Sequence, residues 1–486
     1  MPWIILLGAA LRIAAALPWS MHHPDEIFQY VEQAHRLVFG YGIVPWEYRY
    51  EMRNWAVPLM LAGPMKLGAA IAPDGDLYLM LPRLLSAMLG LPMIWAAWAI
   101  GARRSQAHAL IAALVIALWY EQVYFAAHIL TEYYATALFL PGAALMATDS
   151  PRRRALVGAG ALLGASVLLR FHYAPAVGLF VLASGWGRLR QVLPWLIIGG
   201  LCAALASGAI DIAMGQTPFR WIVENIRQNL LVGRATDYGV SGPFAYLEMI
   251  GVYWSFAIFP LLLLLAPGMR GHAPLLIAAA ANIAVHMAIG HKEYRFILLS
   301  TTILVLVAAI GSVDMLERAR RARPSTGAAL ALLAALWAGT SATLAAIQPM
   351  REGWTNMSPQ LSLARATGRT PGLCGLALFR TASWETGGYA WLHRDIPFYS
   401  MLTASEDAPM TPPLSAAAPA FNGIIAPTSE SQALPPGYRA ATCRGLGVDS
   451  RWGISRPVCL YVRPGGCAPQ AARGWDIQTA LQRRDR

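Results

Sequence analysis

The stretch HKEYRFILLSTTILVLVAAIGSV, residues 291–313, sets His291, Lys292, Glu293 and Arg295 directly against eighteen residues that carry no charge. A run of that length and apolarity fits a membrane-spanning helix, which needs about 20 such residues. Ionisable groups at the rim of a bilayer are costly and mark functional sites by default. A second polar island, His23-Pro24-Asp25-Glu26, stands in the same relation to the apolar segment 3–20.

Outward from these islands, apolar runs recur along the whole chain. Of 486 residues, 56% are hydrophobic and only 13% charged, with a mean hydropathy of +0.45. Soluble domains carry about 25% charged residues, so the composition specifies a polytopic membrane protein. The runs are continuous rather than alternating, which selects helices over a barrel. The net charge of +12 does not indicate nucleic acid. The basic residues gather in short loops: Arg103-Arg104, Arg152-Arg153-Arg154, Arg188 with Arg190, and Arg318, Arg320, Arg321 and Arg323. That is the positive-inside asymmetry of a cytoplasmic face beside anionic membrane lipid.

Counting from an inside N-terminus gives about eleven transmembrane helices: 3–20, 77–100, 107–124, 133–148, 155–169, 173–186, 191–212, 246–267, 273–290, 296–313 and 326–347. The fifth and sixth form a hairpin, full-depth or partial, separated by Arg170-Phe171-His172-Tyr173. Residues 55–72, broken by Pro58, Gly63, Pro64 and Lys66, read as re-entrant or interfacial. Residues 1–347 form the membrane domain. Residues 348–486 form a small α/β domain on the outer face, with strands at 373–379, 396–401, 422–426 and 458–462. Cys202 lies in an apolar run and reads as core. Cys374, Cys443, Cys459 and Cys467 all fall in the outer domain; an even number there implies two disulfides, with three pairings open.

This topology brings four polar clusters to the outer side. They are Asp25-Glu26 with Glu47, Arg49 and Arg53; His128 with Thr131-Glu132; the 213–245 loop, which carries Tyr238; and His291–Arg295. Pro24 suits the first turn of a helix on which Asp25, Phe28, Glu32, His35 and Phe39 share a face, ending at Gly40 and Gly42. Thr131-Glu132 reads either as part of a site or as a helix cap. Arg12, alone in the first span, reads either as an anion contact or as the partner of a buried carbonyl or carboxylate. Asp74-Gly75-Asp76 has the form of a metal–nucleotide motif but precedes a span with no nucleotide-binding sheet. There is no zincin-type histidine pair and no Walker loop. Transporters keep their polar groups near the midplane, often in repeats; clustering at one face favours an enzyme over a transporter or flippase of a lipid-linked glycan.

The residues His23-Pro24-Asp25-Glu26, Phe28-Gln29, Glu32, His35, Gly40-x-Gly42 and Trp46-Glu47 resemble the first loop of glycosyltransferase family 22, the GPI-anchor and N-glycan-precursor α-mannosyltransferases of the GT-C fold. His291-Lys292-Glu293-x-Arg295-Phe296 resembles that family's late motif. Tyr238-Gly239, Pro243-Phe244 and Tyr246 resemble its external loop. The stretch His128–Glu132 resembles the family's Ser-Asn-x-x-x-Glu region only in part. The resemblance implies a polyprenyl-phosphate-linked sugar donor, mannose, whose anomeric carbon is attacked with inversion by a hydroxyl of a glycan or glycolipid acceptor. Asp25 and Glu26 are then the catalytic candidates, Asp25 as the base. Lys292, Arg295 and Arg53 would hold the donor phosphate, and His291, Glu293, Glu47, Glu132 and Tyr238 would line the substrate. The resemblance implies no cofactor and no metal. The low-Lys, Ala/Arg-rich composition points to a bacterial inner membrane, with the site and the C-terminus facing the periplasm.

Overall fold

The computed structural model describes residues 1–147, 151–320, 326–401, 414–445 and 457–484. Arg321 and Arg323 of the basic cluster lie outside them. The chain divides into two compact units. A helical unit comprises 1–16, 54–56 and 83–351, and a sheet unit comprises 17–53, 57–82 and 352–486.

The protein is a polytopic α-helical membrane protein with a small C-terminal β-sheet domain, but the span count is lower than expected. Among the described residues five helices are long and apolar enough to cross a membrane: Leu77–Ala102, Leu189–Ala213, Ala245–Gly268, Tyr294–Ala319 and Gly327–Ala346. A sixth is reached if Gln106–Leu118 and Tyr120–Ala126, bent by 48°, are one span. Pro2–Ala16, Ala56–Ile71, Phe171–Ser184 and Ala273–Met287 are apolar but shorter. Residues 3–20 illustrate why eleven was too many. Leu17-Pro18-Trp19 is apolar but not helical, because proline disfavours helical geometry in the residue before it. The remaining 15-residue helix rises only about 22 Å.

Within the helical unit, burial separates two kinds of span. In an apolar eighteen-residue stretch of each, 89% of the residues are buried in Tyr294–Ala319, against 17% in Gly327–Ala346 and 28% in Leu189–Ala213. The latter present leucines to lipid, and Cys202 is exposed among them. Its expected core position is therefore wrong: in a bilayer an apolar neighbourhood does not distinguish inside from outside. Helices Arg153–Leu169 and Leu189–Ala213 meet backbone to backbone through glycine. A Cβ on Gly160 would stand 2.1 Å from the Leu196 carbonyl oxygen, and one on Gly199 1.9 Å from that of Val157. Close approach of small residues is how helices gain packing where no hydrophobic force drives them together. Arg12 is fully buried and donates to the carbonyls of Gly8, Ala117 and Ile116, each at 3.1 Å. It is a structural partner of buried carbonyls.

In the sheet unit, β1 (Leu376–Phe379), β2 (Phe398–Met401), β3 (Gly423–Pro427), β4 (Arg439–Arg444) and β5 (Val458–Val462) form one sheet in the order β2-β1-β3-β5-β4. β1 is parallel to β2 and β3, and β5 is antiparallel to β3 and β4. Phe421, Ile424, Cys459 and Tyr461 are in its core. Cys374 pairs with Cys467, and Cys443 with Cys459 opposite it across β4 and β5. β4 was not expected, since its residues are mostly exposed and form no apolar run.

Candidate active site

In the sheet unit, the first polar island opens a helix at Pro24. Its first turns, Glu26–Val31, are π-wound and are followed by Glu32–Phe39. Gly40, at φ +85°, closes it in the left-handed conformation that glycine tolerates. The π segment interrupts the regular α-helical spacing between Asp25 and Glu32; π segments are frequent at functional sites. Asp25 is half-buried, its carboxylate 3.2 Å from His23 Nδ1. Glu26 is buried and accepts the His22 N–H at 2.7 Å. Glu47 is buried and accepts from Gln29 Nε2 at 2.8 Å. Burial pushes the Glu47 carboxyl up to about 7, the Asp25 charge adds to the effect, and Arg53 opposes it.

Glu32 and His35 take a different part. Glu32 accepts the backbone N–H of Ile43 at 2.7 Å, of Tyr389 at 3.1 Å and of Ala390 at 2.7 Å. Burial still raises its carboxyl to about 7. His35 Nε2 meets His393 Nδ1 at 3.1 Å, and the His393 ring stacks on Tyr78 with centroids 4.0 Å apart. Asp76 binds Arg365 and Arg369, so the Asp-x-Asp stretch is a structural tie.

In the helical unit, Glu293 is the hub of the late island. It accepts Arg295 Nε at 2.9 Å and Nη2 at 3.0 Å, and it faces His291 Nε2 at 3.1 Å. His291 Nδ1 lies 3.2 Å from the Gly239 carbonyl oxygen, and the His291 ring lies edge-on to exposed Tyr238 at 6.1 Å. Burial disfavours the imidazolium, but the Glu293 carboxylate outweighs it and the His291 pKa is raised. Lys292 Nζ donates to the carbonyls of Met287, at 3.2 Å, and Ile289. There its charge suits the negative end of the Ala273–Met287 helix dipole. Tyr294 turns inward, stacks on Tyr253 at 3.8 Å and donates to Glu121.

Two groups passed over in the sequence complete this cluster. Arg170, buried between the paired apolar segments, lies 3.3 Å from Glu132 and 4.6 Å from the Phe296 ring centre. Glu132 also faces Arg295 at 3.8 Å. The helix Thr131–Met146 has no side-chain cap bond, so Glu132 acts as an ion-pair member and not as a cap. Glu121 is fully buried and accepts from Trp254 at 2.9 Å and Tyr120 at 3.1 Å as well as from Tyr294. An acid within an apolar run was itself the available signal. Arg170, Arg295 and Lys292 are thus three buried cations set among the acids Glu132, Glu293 and Glu121, and guanidinium and ammonium groups held in a low-dielectric setting are suited to an anion. Elsewhere, His108, Asp314 and Glu317 are the one metal-competent group among the described residues, but Asp314 is bound by Arg104 and His108 by Ser105.

Residues 3–366 match the Alg9-like mannosyltransferase family. The GPI mannosyltransferase 3 of Yarrowia lipolytica is 27% identical over 321 residues, covering 63% of this chain and 61% of that protein. That of Drosophila melanogaster is 37% identical over 89 residues, 18% of this chain and only 16% of its own length. Among solved structures, ArnT from Cupriavidus metallidurans bound to undecaprenyl phosphate superposes with a TM-score of 0.60 at 13% identity, over 94% of this chain and 98% of that one. At that identity the likeness is one of fold, the expected GT-C fold.

Proposed function

The chain belongs to the Alg9-like mannosyltransferase family, and from that premise we propose that it is an inverting glycosyltransferase that moves mannose from a polyprenyl-phosphate donor to a hydroxyl of a glycan or glycolipid. The observation that carries this reading is the family match across both polar islands, His23–Glu26 and His291–Phe296. The acceptor oxygen forms a bond to the anomeric carbon as that carbon's bond to the phosphate oxygen breaks. The electron pair leaves with the lipid phosphate, and the hydroxyl proton goes to Asp25. Asp25 suits that task better than Glu26 or Glu47, because it is half-buried whereas they are buried. Glu26, bonded to the His22 backbone, holds the turn that presents Asp25.

Charge developing on the departing phosphate is stabilised by fixed cations. Arg295 and Lys292 fill that role, Arg170 joins them, and Arg53 supports the base side through its effect on Glu47. Glu293 and Glu132 hold Arg295 and Arg170 in place, His291 steadies Glu293, and Tyr238 flanks the donor. The two disulfides favour an oxidising compartment, which supports a bacterial inner-membrane enzyme whose site and C-terminal domain face the periplasm. Purified protein given polyprenyl-phosphate-[14C]mannose and a membrane lipid extract as acceptor should release polyprenyl phosphate and label the acceptor. Label that crosses a vesicle membrane still attached to its polyprenyl carrier would instead identify a flippase.

A further inference from the structure

Beyond the reacting groups, the sheet unit holds a crevice that none of the roles above uses. In the order β2-β1-β3-β5-β4 the chain leaves β1 toward β2 and leaves β3 in the opposite direction, toward β4. Ligands bind at such switch points, outside the carboxyl ends of the diverging strands. A cavity opens there. Arg380, Thr381, Glu385 and Thr386 follow β1, Pro427 ends β3, and Gln360 reaches in from the helix Ser358–Gly368.

The segment after β1 is held in shape by its own bonds. Thr381 Oγ1 donates to the Phe379 carbonyl at 3.3 Å, Glu385 accepts the Ala382 N–H at 2.8 Å, and Thr386 Oγ1 donates to the Ser383 carbonyl at 2.8 Å. Arg380 sits at φ +49°, a strained conformation for a bulky residue and one that concentrates at ligand sites. Gln360 Oε1 is buried with no hydrogen-bond partner. The floor is apolar: Leu363, Ala364, Ile425 and Val458.

We infer that this crevice is a carbohydrate subsite, taking a non-reacting neutral sugar of the acceptor glycan; the word acceptor rests on the function proposed above, the binding does not. An anion is disfavoured, because Glu385 and the Glu430 carboxylate, 3.6 Å from Arg380 Nε, outnumber the one guanidinium. What remains is a mixture of amide, hydroxyl, guanidinium and carboxylate groups over an apolar floor, which is the complement of a sugar ring. The crevice together with the open space at its mouth measures about 520 Å³, room for a sugar ring lying across the mouth.

The test is saturation-transfer NMR on the full chain in nanodiscs with α-1,2-linked mannotriose as probe. Wild type should transfer saturation to the probe, and inorganic phosphate should not compete. Gln360→Leu and Arg380→Gly, the latter relieving the backbone at φ +49°, should each weaken binding about five-fold, the worth of about one hydrogen bond. Asp25→Asn should leave it unchanged. No transfer to the wild type, displacement by phosphate, or full binding by Gln360→Leu would overturn the subsite. Should Arg380→Gly fail to form both disulfides, Gln360→Leu, on a helix surface, decides alone. A wild-type protein that binds the probe but transfers no mannose would count against the enzyme reading and leave the subsite standing.

Discussion

Asp25, Glu26 and Glu47 are neighbours in the sheet unit, yet they meet different surroundings, and that difference separates their chemistry. Asp25 keeps part of its surface open, so replacing it with Asn should leave the protein folded while lowering mannosyl transfer about 10²–10⁴-fold, the usual contribution of a general base. Initial rates on purified variant and wild type check this, and near-wild-type turnover would remove Asp25 from the role. Glu47 makes a statement about pH. Its folded pKa, about 7 against an ordinary 4.5, means the folded state holds a proton that the unfolded chain has released between those values. Stability from this group is therefore full below about pH 4.5, falls as pH rises toward 7 and is flat above, a range on the order of 3 kcal/mol. Glu47→Gln should flatten the melting temperature against pH over that window; an unchanged slope would show that Glu47 ionises normally.

The cations divide by what already holds them. Lys292 is engaged by helix-end carbonyls and Arg295 by two carboxylates, while Arg170 shares only Glu132 among these. Arg295→Ala and Arg170→Ala should each raise the donor KM and lower kcat, since a phosphate contact acts in both the bound and the departing state. Donor kinetics unchanged in both would place the anion elsewhere.

Helices and strands show why some of this was legible and some was not. The helix opening at Pro24 and closing at Gly40 was readable because proline and glycine punctuate it, and His291–Phe296 because charges stand out in an apolar chain. The π winding of Glu26–Val31 leaves no mark in composition. Arg170 looked like the tip of a hairpin, because periodicity does not reveal which distant carboxylate a cation will meet. The span count failed where apolar loops continue apolar helices. Strand β4 failed because an exposed edge strand has no apolar alternation. Glycine placement was similarly silent, although its consequence is testable. Gly160→Ala would put a methyl 2.1 Å from the Leu196 carbonyl oxygen and force the two helices apart. A loss of about 1–3 kcal/mol is expected, read as a lower melting temperature in detergent, whereas Gly178→Ala, which meets nothing within 4 Å, should have little effect.

Taken as one chain, the protein relies on two sources of order. The helical unit is confined by the bilayer, which leaves buried helix-to-helix contacts such as those of Tyr294–Ala319 to define it. The sheet unit lies partly in sequence before the spans and partly after them, and its five short strands enclose a modest core. Covalent closure compensates. Cys374–Cys467 spans 93 residues and Cys443–Cys459 spans 16, so chain-entropy arguments assign about 4.7 and about 3 kcal/mol to them. The longer bridge also fastens the segment before β1 to the segment after β5, holding both ends of the sheet's chain together. Replacing Cys374 and Cys467 with serine should therefore make residues 352–484 sensitive to limited proteolysis, whereas the Cys443/Cys459 pair of serines should loosen mainly β4. Protease resistance that is equal in the two double variants would show that the sheet is held by its apolar core and not by the length of chain each bridge closes.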